Sequence, residues 1–105
     1  LLAVVGSPGG SRIITAVLQT VLNVVDFGYN AQTAVAAARV HHQWLPDELY
    51  FEEGVSPDTL LLLRSYGHKV SPRNTFGHVM LIVRGADGWL EGGADPRRPG
   101  LVEGY

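Results

Sequence analysis

The clearest capacity for chemistry lies in the glycine-rich stretch Gly-Ser-Pro-Gly-Gly-Ser-Arg at residues 6–12. An apolar run over residues 1–5 precedes it, and apolar residues at helical spacing follow it from residue 13. The first N–H groups of a helix have no partners within the helix, and glycines let a ligand approach the backbone closely. The stretch can therefore hold a phosphate, a carboxylate or a developing oxyanion.

Two common phosphate-binding motifs do not fit this turn. The phosphate loop requires Gly-Lys followed by Ser or Thr, and the turn contains no lysine; the Gly-x-Gly-x-x-Gly spacing of dinucleotide sites is also absent. An oxyanion hole needs only two well-directed N–H groups, which the adjacent Gly9 and Gly10 can supply. From the residues alone, a turn and helix cap without a ligand is the more frequent use of such glycines.

The polar residues that flank the glycines have a structural and a chemical interpretation. Ser7 and Ser11 are candidate nucleophiles, but Ser7-Pro8 does not match the Gly-x-Ser-x-Gly elbow, so support of the loop is predicted. Arg12 can attract an anionic substrate or hold the loop through a carboxylate. The structural role is favoured because exposed arginine is common in proteins.

Adjacent histidines raise the possibility of a zinc site. His41 and His42 have Asp47, Glu48 and Glu52 as potential further ligands. Adjacent histidines point in different directions on a helix or a strand, and the sequence contains no His-x-x-x-His pair. The sequence therefore predicts no metal site, and these histidines are expected to position a loop by hydrogen bonds.

Two acidic pairs and one acidic turn complete the candidates. The pairs Asp47-Glu48 and Glu52-Glu53 raise the possibility of the two carboxylates of a glycosidase, but adjacent acids in a loop are more often solvated charge. Solvated charge is therefore predicted for both pairs. Residues 95–97, Asp-Pro-Arg, are predicted to form a structural turn.

The elements that position the glycine turn follow from periodicity and turn signals. An α+β fold is predicted because a strand and helices are followed mostly by strands. Residues 40–46 are predicted to be irregular, with Trp44 as an apolar anchor. The predicted strands cover residues 1–5, 49–52, 69–71, 78–84 and 89–92, and the predicted helices cover 11–25, 31–38 and 57–66.

Composition limits the class of protein. The length of 105 residues suits one small domain, and a 46% hydrophobic content excludes a disordered chain. A net charge of -2 with no basic block argues against nucleic acid, and the lack of cysteine excludes disulfides and thiolate chemistry. No apolar run approaches the roughly 20 residues of a membrane span. The apolar strand with nothing before it predicts a piece of a larger protein.

Five motifs in order then give the sequence a family resemblance. The stretches GSPGGSRI, HHQWLPDEL, SPDTLLLL and DPR and the terminal Gly-Tyr resemble the C-terminal part of the small subunit of γ-glutamyltransferase, also called γ-glutamyl transpeptidase or glutathione hydrolase. The resemblance covers the whole chain. It implies that residues 1–105 form a single domain or domain fragment, part of the αββα sandwich of an N-terminal-nucleophile hydrolase and incomplete here.

The resemblance also implies a division of catalytic roles. Gly9 and Gly10 would supply the oxyanion hole, and the nucleophile would be a threonine at the N-terminus of the small subunit, upstream of Leu1. That threonine would take the γ-glutamyl group of glutathione or a related compound and pass it to water or an amine. No metal or organic cofactor is implied, and a periplasmic or extracellular location is suggested.

The expected partners are the absent upstream segment of the small subunit and the large subunit. The isolated chain is expected to be inactive and to self-associate, because residues 1–5 and the wide apolar stripe of the first helix need cover. The alternative hypothesis is a non-catalytic folding or interaction module, or an inactive truncated product, in which the glycine turn only caps a helix.

Overall fold

Two three-stranded sheets and three α-helices make up residues 1–104, the part of the chain that the computed structural model describes. A 3-10 turn at Gly10–Arg12 leads into the first helix. The strands are β1 (Ala3–Gly6), β2 (Val40–His41), β3 (Leu49–Phe51), β4 (Val70–Pro72), β5 (Met80–Arg84) and β6 (Leu90–Ala94), and the helices are α1 (Ile13–Val25), α2 (Ala31–Ala36) and α3 (Pro57–Ser65).

The first sheet has the order β1-β5-β6 and is antiparallel throughout. Ala3 pairs with Val83 and Val5 with Leu81, so alternate residues of β1 and β5 face the same side. Helices α1 and α2 cover that side and form the core with it. The buried core residues are Ala16, Ala31, Ala34, Val35, Val79 and Leu81.

Helix α2 lies unusually close to β6. A Cβ atom at Gly93 would stand 2.5 Å from the carbonyl oxygen of Ala31, so only glycine fits at this point of the strand. The Gln32 side chain donates to the carbonyl of Ala94 (2.9 Å) and accepts from its N–H (3.0 Å). The small residues of α2 therefore permit the close packing that their size predicts.

The second sheet contains a strand that local periodicity does not indicate. The prediction of irregular structure over residues 40–46 is wrong at its start, because Val40 and His41 pair antiparallel with β3 as β2. The side chain of Gln19 in α1 binds both backbone groups of Val40, at 2.7 and 2.9 Å. Pairing partners 9 and 11 residues away thus make this two-residue strand.

The predicted role of Trp44 is also wrong. The residue is 76% exposed and so is not an apolar anchor, and its φ of 73° lies in the left-handed region. A cis peptide bond joins Leu45 to Pro46 in the same loop.

Large apolar surfaces of the first sheet and of α1 are exposed. Strand β1, which the sequence predicts to need cover, lies at the edge of its sheet, and Leu2 and Val4 are more than half exposed. Helix α1, whose wide apolar stripe is likewise predicted to need cover, buries only Ala16 and Thr20. Within residues 1–104, no helix is long and apolar enough to cross a membrane. The exposed apolar residues of α1 are Ile14, Leu18, Leu22 and Val25.

Candidate functional site

The glycine turn joins β1 to the 3-10 turn and exposes two adjacent backbone N–H groups. Gly9 has a φ of 139° and Gly10 a φ of 60°, and side chains rarely tolerate either value. Within residues 1–104 neither glycine N–H donates a hydrogen bond to the chain. A Cβ atom at Gly10 would meet nothing within 4 Å, so the space in front of this residue is open.

The orientation of both peptide planes is held from the carbonyl side. The Ser7 hydroxyl donates to the carbonyl of Pro8 (2.8 Å), which belongs to the same peptide unit as the Gly9 N–H. The carbonyl of Gly9 accepts from the N–H of Arg12 (3.2 Å), and it shares its peptide unit with the Gly10 N–H. Since a trans peptide is planar, each bond directs an N–H to the opposite side.

Behind the turn lies Gly77, which sequence reasoning missed. The Ser7 hydroxyl oxygen accepts from the His78 N–H at 3.2 Å, and this bond ties the turn to the segment before β5. Gly77 has a φ of 67°, and a Cβ atom there would stand 2.7 Å from the Ser7 hydroxyl oxygen. A glycine directly before a predicted strand was the available sequence signal.

The start of α1 is fixed by a chain of side-chain hydrogen bonds. Ser11 donates to Oε1 of Gln43 (3.0 Å), and this oxygen also faces Nε2 of His41 (3.0 Å). Because the Gln43 oxygen can only accept, His41 donates through Nε2, and its Nδ1 is left to accept from the Thr15 hydroxyl, 2.7 Å away. The same hydroxyl also lies 3.2 Å from the Arg12 carbonyl, a second and longer acceptor. His41 thus has the positioning role that the sequence favours, through partners that the sequence did not indicate.

The other polar candidates are dispersed. His42 contacts the exposed Asp47 at 3.1 Å. Glu48 binds Ser71, and this hydrogen bond is the main reason that the pKa of Glu48 lies below its usual value. Within residues 1–104, no three side chains of histidine, aspartate or glutamate come together as a metal site.

Arg12 does not hold the loop through a carboxylate within residues 1–104. Its guanidinium carbon instead lies 5.6 Å from the centre of the Phe76 ring, a cation–π contact. Arg12 therefore also contacts the segment that contains Gly77.

A buried cluster of two arginines and two acids was missed by sequence reasoning. Arg39 pairs with Asp95 at 2.9 Å, and Arg97 pairs with Asp95 at 3.0 Å and with Glu52. The prediction that Glu52 is solvated is therefore wrong, because it is only 4% exposed; its neighbour Glu53 is exposed as predicted. Equal numbers of opposite charges make this burial tolerable.

The charge cluster holds both ends of the segment at residues 76–79. Glu52 accepts from the Phe76 N–H (2.6 Å), and Arg39 donates to the Phe76 carbonyl (2.8 Å). Asp95 accepts from the Val79 N–H at 2.7 Å. Three of the four charged side chains, those of Glu52, Arg39 and Asp95, therefore fix the backbone on either side of Gly77.

Burial and hydrogen bonding act in opposite directions on this cluster. Burial raises the pKa of Glu52 and of Asp95, but hydrogen bonds from backbone N–H groups and guanidiniums outweigh it, and both values lie below usual. Burial lowers the pKa of Arg39, whereas at Arg97 the two carboxylates outweigh burial and raise the pKa. Glu52 and Asp95 are thus ionised near neutral pH, and both guanidiniums keep their charge because arginine is not deprotonated in proteins.

The fold places this chain among the N-terminal-nucleophile hydrolases, as an incomplete part of their αββα sandwich. The family profile described as gamma-glutamyltranspeptidase matches residues 1–105, and the chain belongs to that family.

Individual relatives agree with this assignment. The glutathione hydrolase proenzyme of Escherichia coli is 54% identical over 103 residues, which cover 97% of this chain and 18% of that protein. A structure of Helicobacter pylori gamma-glutamyltranspeptidase is 44% identical with a TM-score of 0.86, covering 92% of this chain and 54% of that one. A structure of the Pseudomonas nitroreducens gamma-glutamyltranspeptidase is 34% identical with a TM-score of 0.88, and the match covers 99% of this chain and 55% of that one. The chain spans about one fifth of the length of the first curated relatives.

Proposed function

We propose that this chain is the C-terminal portion of the small subunit of a γ-glutamyltransferase, and that it supplies the oxyanion hole of that enzyme. The observation that supports this role is the pair of unbonded N–H groups of Gly9 and Gly10 at the start of a helix. Both glycines are exposed, and the positive end of the helix dipole favours negative charge at this point.

The proposed reaction begins outside this chain. A threonine hydroxyl attacks the carbonyl carbon of a γ-glutamyl compound such as glutathione, and its proton passes to a base, the free α-amine of that threonine. The carbonyl oxygen becomes an oxyanion, to which Gly9 and Gly10 donate. The C–N bond then breaks, the protonated amine leaves, and a γ-glutamyl ester forms. Water or a second amine takes the γ-glutamyl group from the ester in the same way.

The rest of the enzyme is the proposed partner of this chain. The exposed apolar residues of β1 and α1, such as Val4, Ile14 and Leu18, are unusual on a free surface and suit cover by further strands and helices. The limited share of each relative that the chain spans is consistent with such a remainder. The isolated chain is expected to lack activity because its threonines are all internal.

A full-length hybrid tests the proposal. In this hybrid, residues 1–105 replace the matching segment of the E. coli proenzyme, and release of the chromophore from a γ-glutamyl anilide measures turnover. Turnover in the hybrid supports the proposal. A hybrid that folds and matures but has no turnover would instead support the non-catalytic module.

Two proline substitutions in the hybrid test the donors. Gly10→Pro removes one N–H and is expected to lower kcat by about 10²–10³-fold. Gly28→Pro is the matched control: Gly28 has a φ of 67° against 60° for Gly10, and its N–H is also unbonded within residues 1–104. Equal losses of kcat in the two variants would contradict the oxyanion role.

A further inference from the structure

We infer that Gly77 and Ser7 are positioning residues that aim the N–H groups of the glycine turn. The inference rests on the proposed function of Gly9 and Gly10. Neither residue needs to touch the substrate; they act through the peptide unit between Pro8 and Gly9.

Ser7 sets the direction of the first donor. Its hydroxyl donates to the Pro8 carbonyl at 2.8 Å, and the planar peptide then points the Gly9 N–H the opposite way. The same oxygen accepts from the His78 N–H at 3.2 Å, so the hydroxyl is held from both sides. A serine whose two bonds connect the turn to a distant segment is more constrained than a cap on a free loop.

Gly77 leaves the space that this arrangement requires. A Cβ atom at Gly77 would stand 2.7 Å from the Ser7 hydroxyl oxygen and 3.4 Å from the Pro8 carbonyl oxygen. These are the two atoms that orient the Pro8–Gly9 peptide. A Cβ atom at Gly9 would stand 3.7 Å from the Cα atom of Gly77, so the two glycines face each other across the turn.

The segment around Gly77 cannot retreat easily. Hydrogen bonds with the side chains of Glu52, Arg39 and Asp95 hold the backbone of Phe76 and Val79 on either side of it. A side chain added at residue 77 is therefore expected to displace the exposed glycine turn rather than the buried segment. Small displacements of catalytic groups of this kind are costly in rate.

Two alanine substitutions in the full-length hybrid test the role of Gly77. Gly77→Ala is expected to lower kcat by roughly 10-fold or more, with KM changed by less than about 3-fold. Gly28→Ala is the control, because Gly28 has the same φ of 67° and a Cβ atom there meets nothing within 4 Å. The control has the strain of the positive φ without the clash, so it is expected to lower the melting temperature by no more than Gly77→Ala does and to leave kcat within about 2-fold.

Substitutions of Ser7 keep the inference testable if Gly77→Ala folds poorly. Ser7→Ala removes the hydrogen bond to the Pro8 carbonyl without adding bulk and is expected to lower kcat. Ser7→Thr retains the hydroxyl and is expected to retain most of the kcat. The fold-loss of kcat in the double variant Ser7→Ala with Gly77→Ala is expected to be smaller than the product of the two single fold-losses. The reason is that the Ser7 hydroxyl oxygen, which the methyl group at residue 77 would clash with, is absent.

A binding measurement distinguishes misdirected N–H donors from a general disruption of the substrate site. A boronic acid analogue of the γ-glutamyl group forms a tetrahedral adduct that requires the oxyanion donors, whereas glutamate does not. Gly77→Ala and Ser7→Ala are expected to lower the affinity for the boronate and to leave the affinity for glutamate within about 2-fold.

The outcomes distinguish this inference from the proposed function. If Gly10→Pro abolishes turnover while Gly77→Ala and Ser7→Ala behave like Gly28→Ala, the positioning role is overturned and the oxyanion hole stands. If Gly10→Pro has no more effect than Gly28→Pro, or the folded and matured hybrid has no turnover, the proposed function fails and this inference fails with it. An equal loss of affinity for the boronate and for glutamate also overturns the positioning role.

Discussion

Arg39 and Asp95 form an ion pair of 2.9 Å in the interior, although 56 positions separate them in the sequence. Their side chains are 2% and 0% exposed. The pair joins the end of α2 to the end of β6, and through Phe76 and Val79 it reaches the segment behind the glycine turn.

Removal of the Asp95 charge is expected to destabilise the fold. Asp95→Asn leaves Arg39 without its carboxylate and Arg97 with only Glu52, and breaking a buried pair of this kind typically costs about 3–5 kcal/mol. Thermal unfolding of the full-length hybrid measures the loss. The control Glu53→Gln neutralises an exposed acid and is expected to change stability by less than about 0.5 kcal/mol. An unchanged melting temperature in Asp95→Asn would contradict the prediction.

Stability is expected to fall in acid because of the same cluster. The pKa values of Glu52 and Asp95 are lowered by folding, so the unfolded chain binds protons first as the pH drops below about 4. The stabilisation is therefore complete above the unfolded pKa values and is lost as the pH falls through the folded ones. Melting temperatures between pH 7 and pH 3 measure this. The double variant Glu52→Gln with Asp95→Asn is expected to have a flatter profile, and an equally steep one would argue against the assignment.

Loss of the Thr15 hydroxyl is expected to lower the stability of the fold, because His41 loses a hydrogen-bond partner. Thr15→Val removes the donor to Nδ1 and leaves a buried acceptor unsatisfied, which costs about 1–3 kcal/mol. The melting temperature of the hybrid measures the effect. Thr59→Val, at an exposed position of α3, is the control and is expected to have little effect. Equal stability of the two variants would show that the hydrogen bond contributes nothing.

A methyl group at Gly93 is expected to push α2 away from the sheet. The added carbon would stand 2.5 Å from the Ala31 carbonyl oxygen, and overpacking of this kind costs about 1–3 kcal/mol. Gly6→Ala is the control, since Gly6 also lies in a strand and a Cβ there meets nothing within 4 Å. Thermal unfolding compares the two, and a Gly93→Ala variant as stable as Gly6→Ala would contradict the close packing.

The isolated chain is expected to form oligomers or aggregates, because the apolar faces of β1 and α1 are exposed. Light scattering and binding of a hydrophobic dye measure this behaviour. Leu18→Lys places a charge in the middle of the α1 face and is expected to reduce both signals. A monomer that binds no dye would contradict the prediction.

Local patterns in the sequence identified most of the elements and the candidate site. The apolar spacing of α1 and the glycines at positions 9 and 10 are short-range signals, and they correctly indicated the α+β order and a helix that starts after a glycine turn. The ends of these elements shifted by at most two residues; the helix predicted from residue 11, for example, begins as a 3-10 turn and becomes α-helical at Ile13. Such shifts are expected where end geometry depends on neighbours.

Long-range contacts account for what local patterns missed. Strand β2 exists because β3 pairs with it, and Glu52 is buried because two arginines from other parts of the chain neutralise the cluster around it. A charged residue in a loop has the same local pattern whether it is solvated or paired, so periodicity alone predicts the commoner, solvated state.

In the glycine turn, the sequence determines some properties and the tertiary structure determines others. Residue type alone determined that Gly9 and Gly10 can adopt a positive φ and leave two N–H groups without side chains in front of them. Their orientation depends on the Ser7 hydroxyl, on the N–H of His78, 71 positions away, and on the missing Cβ of Gly77. Chemical capacity is a property of the residues, whereas direction is a property of the peptide planes, which only packing between distant segments can set.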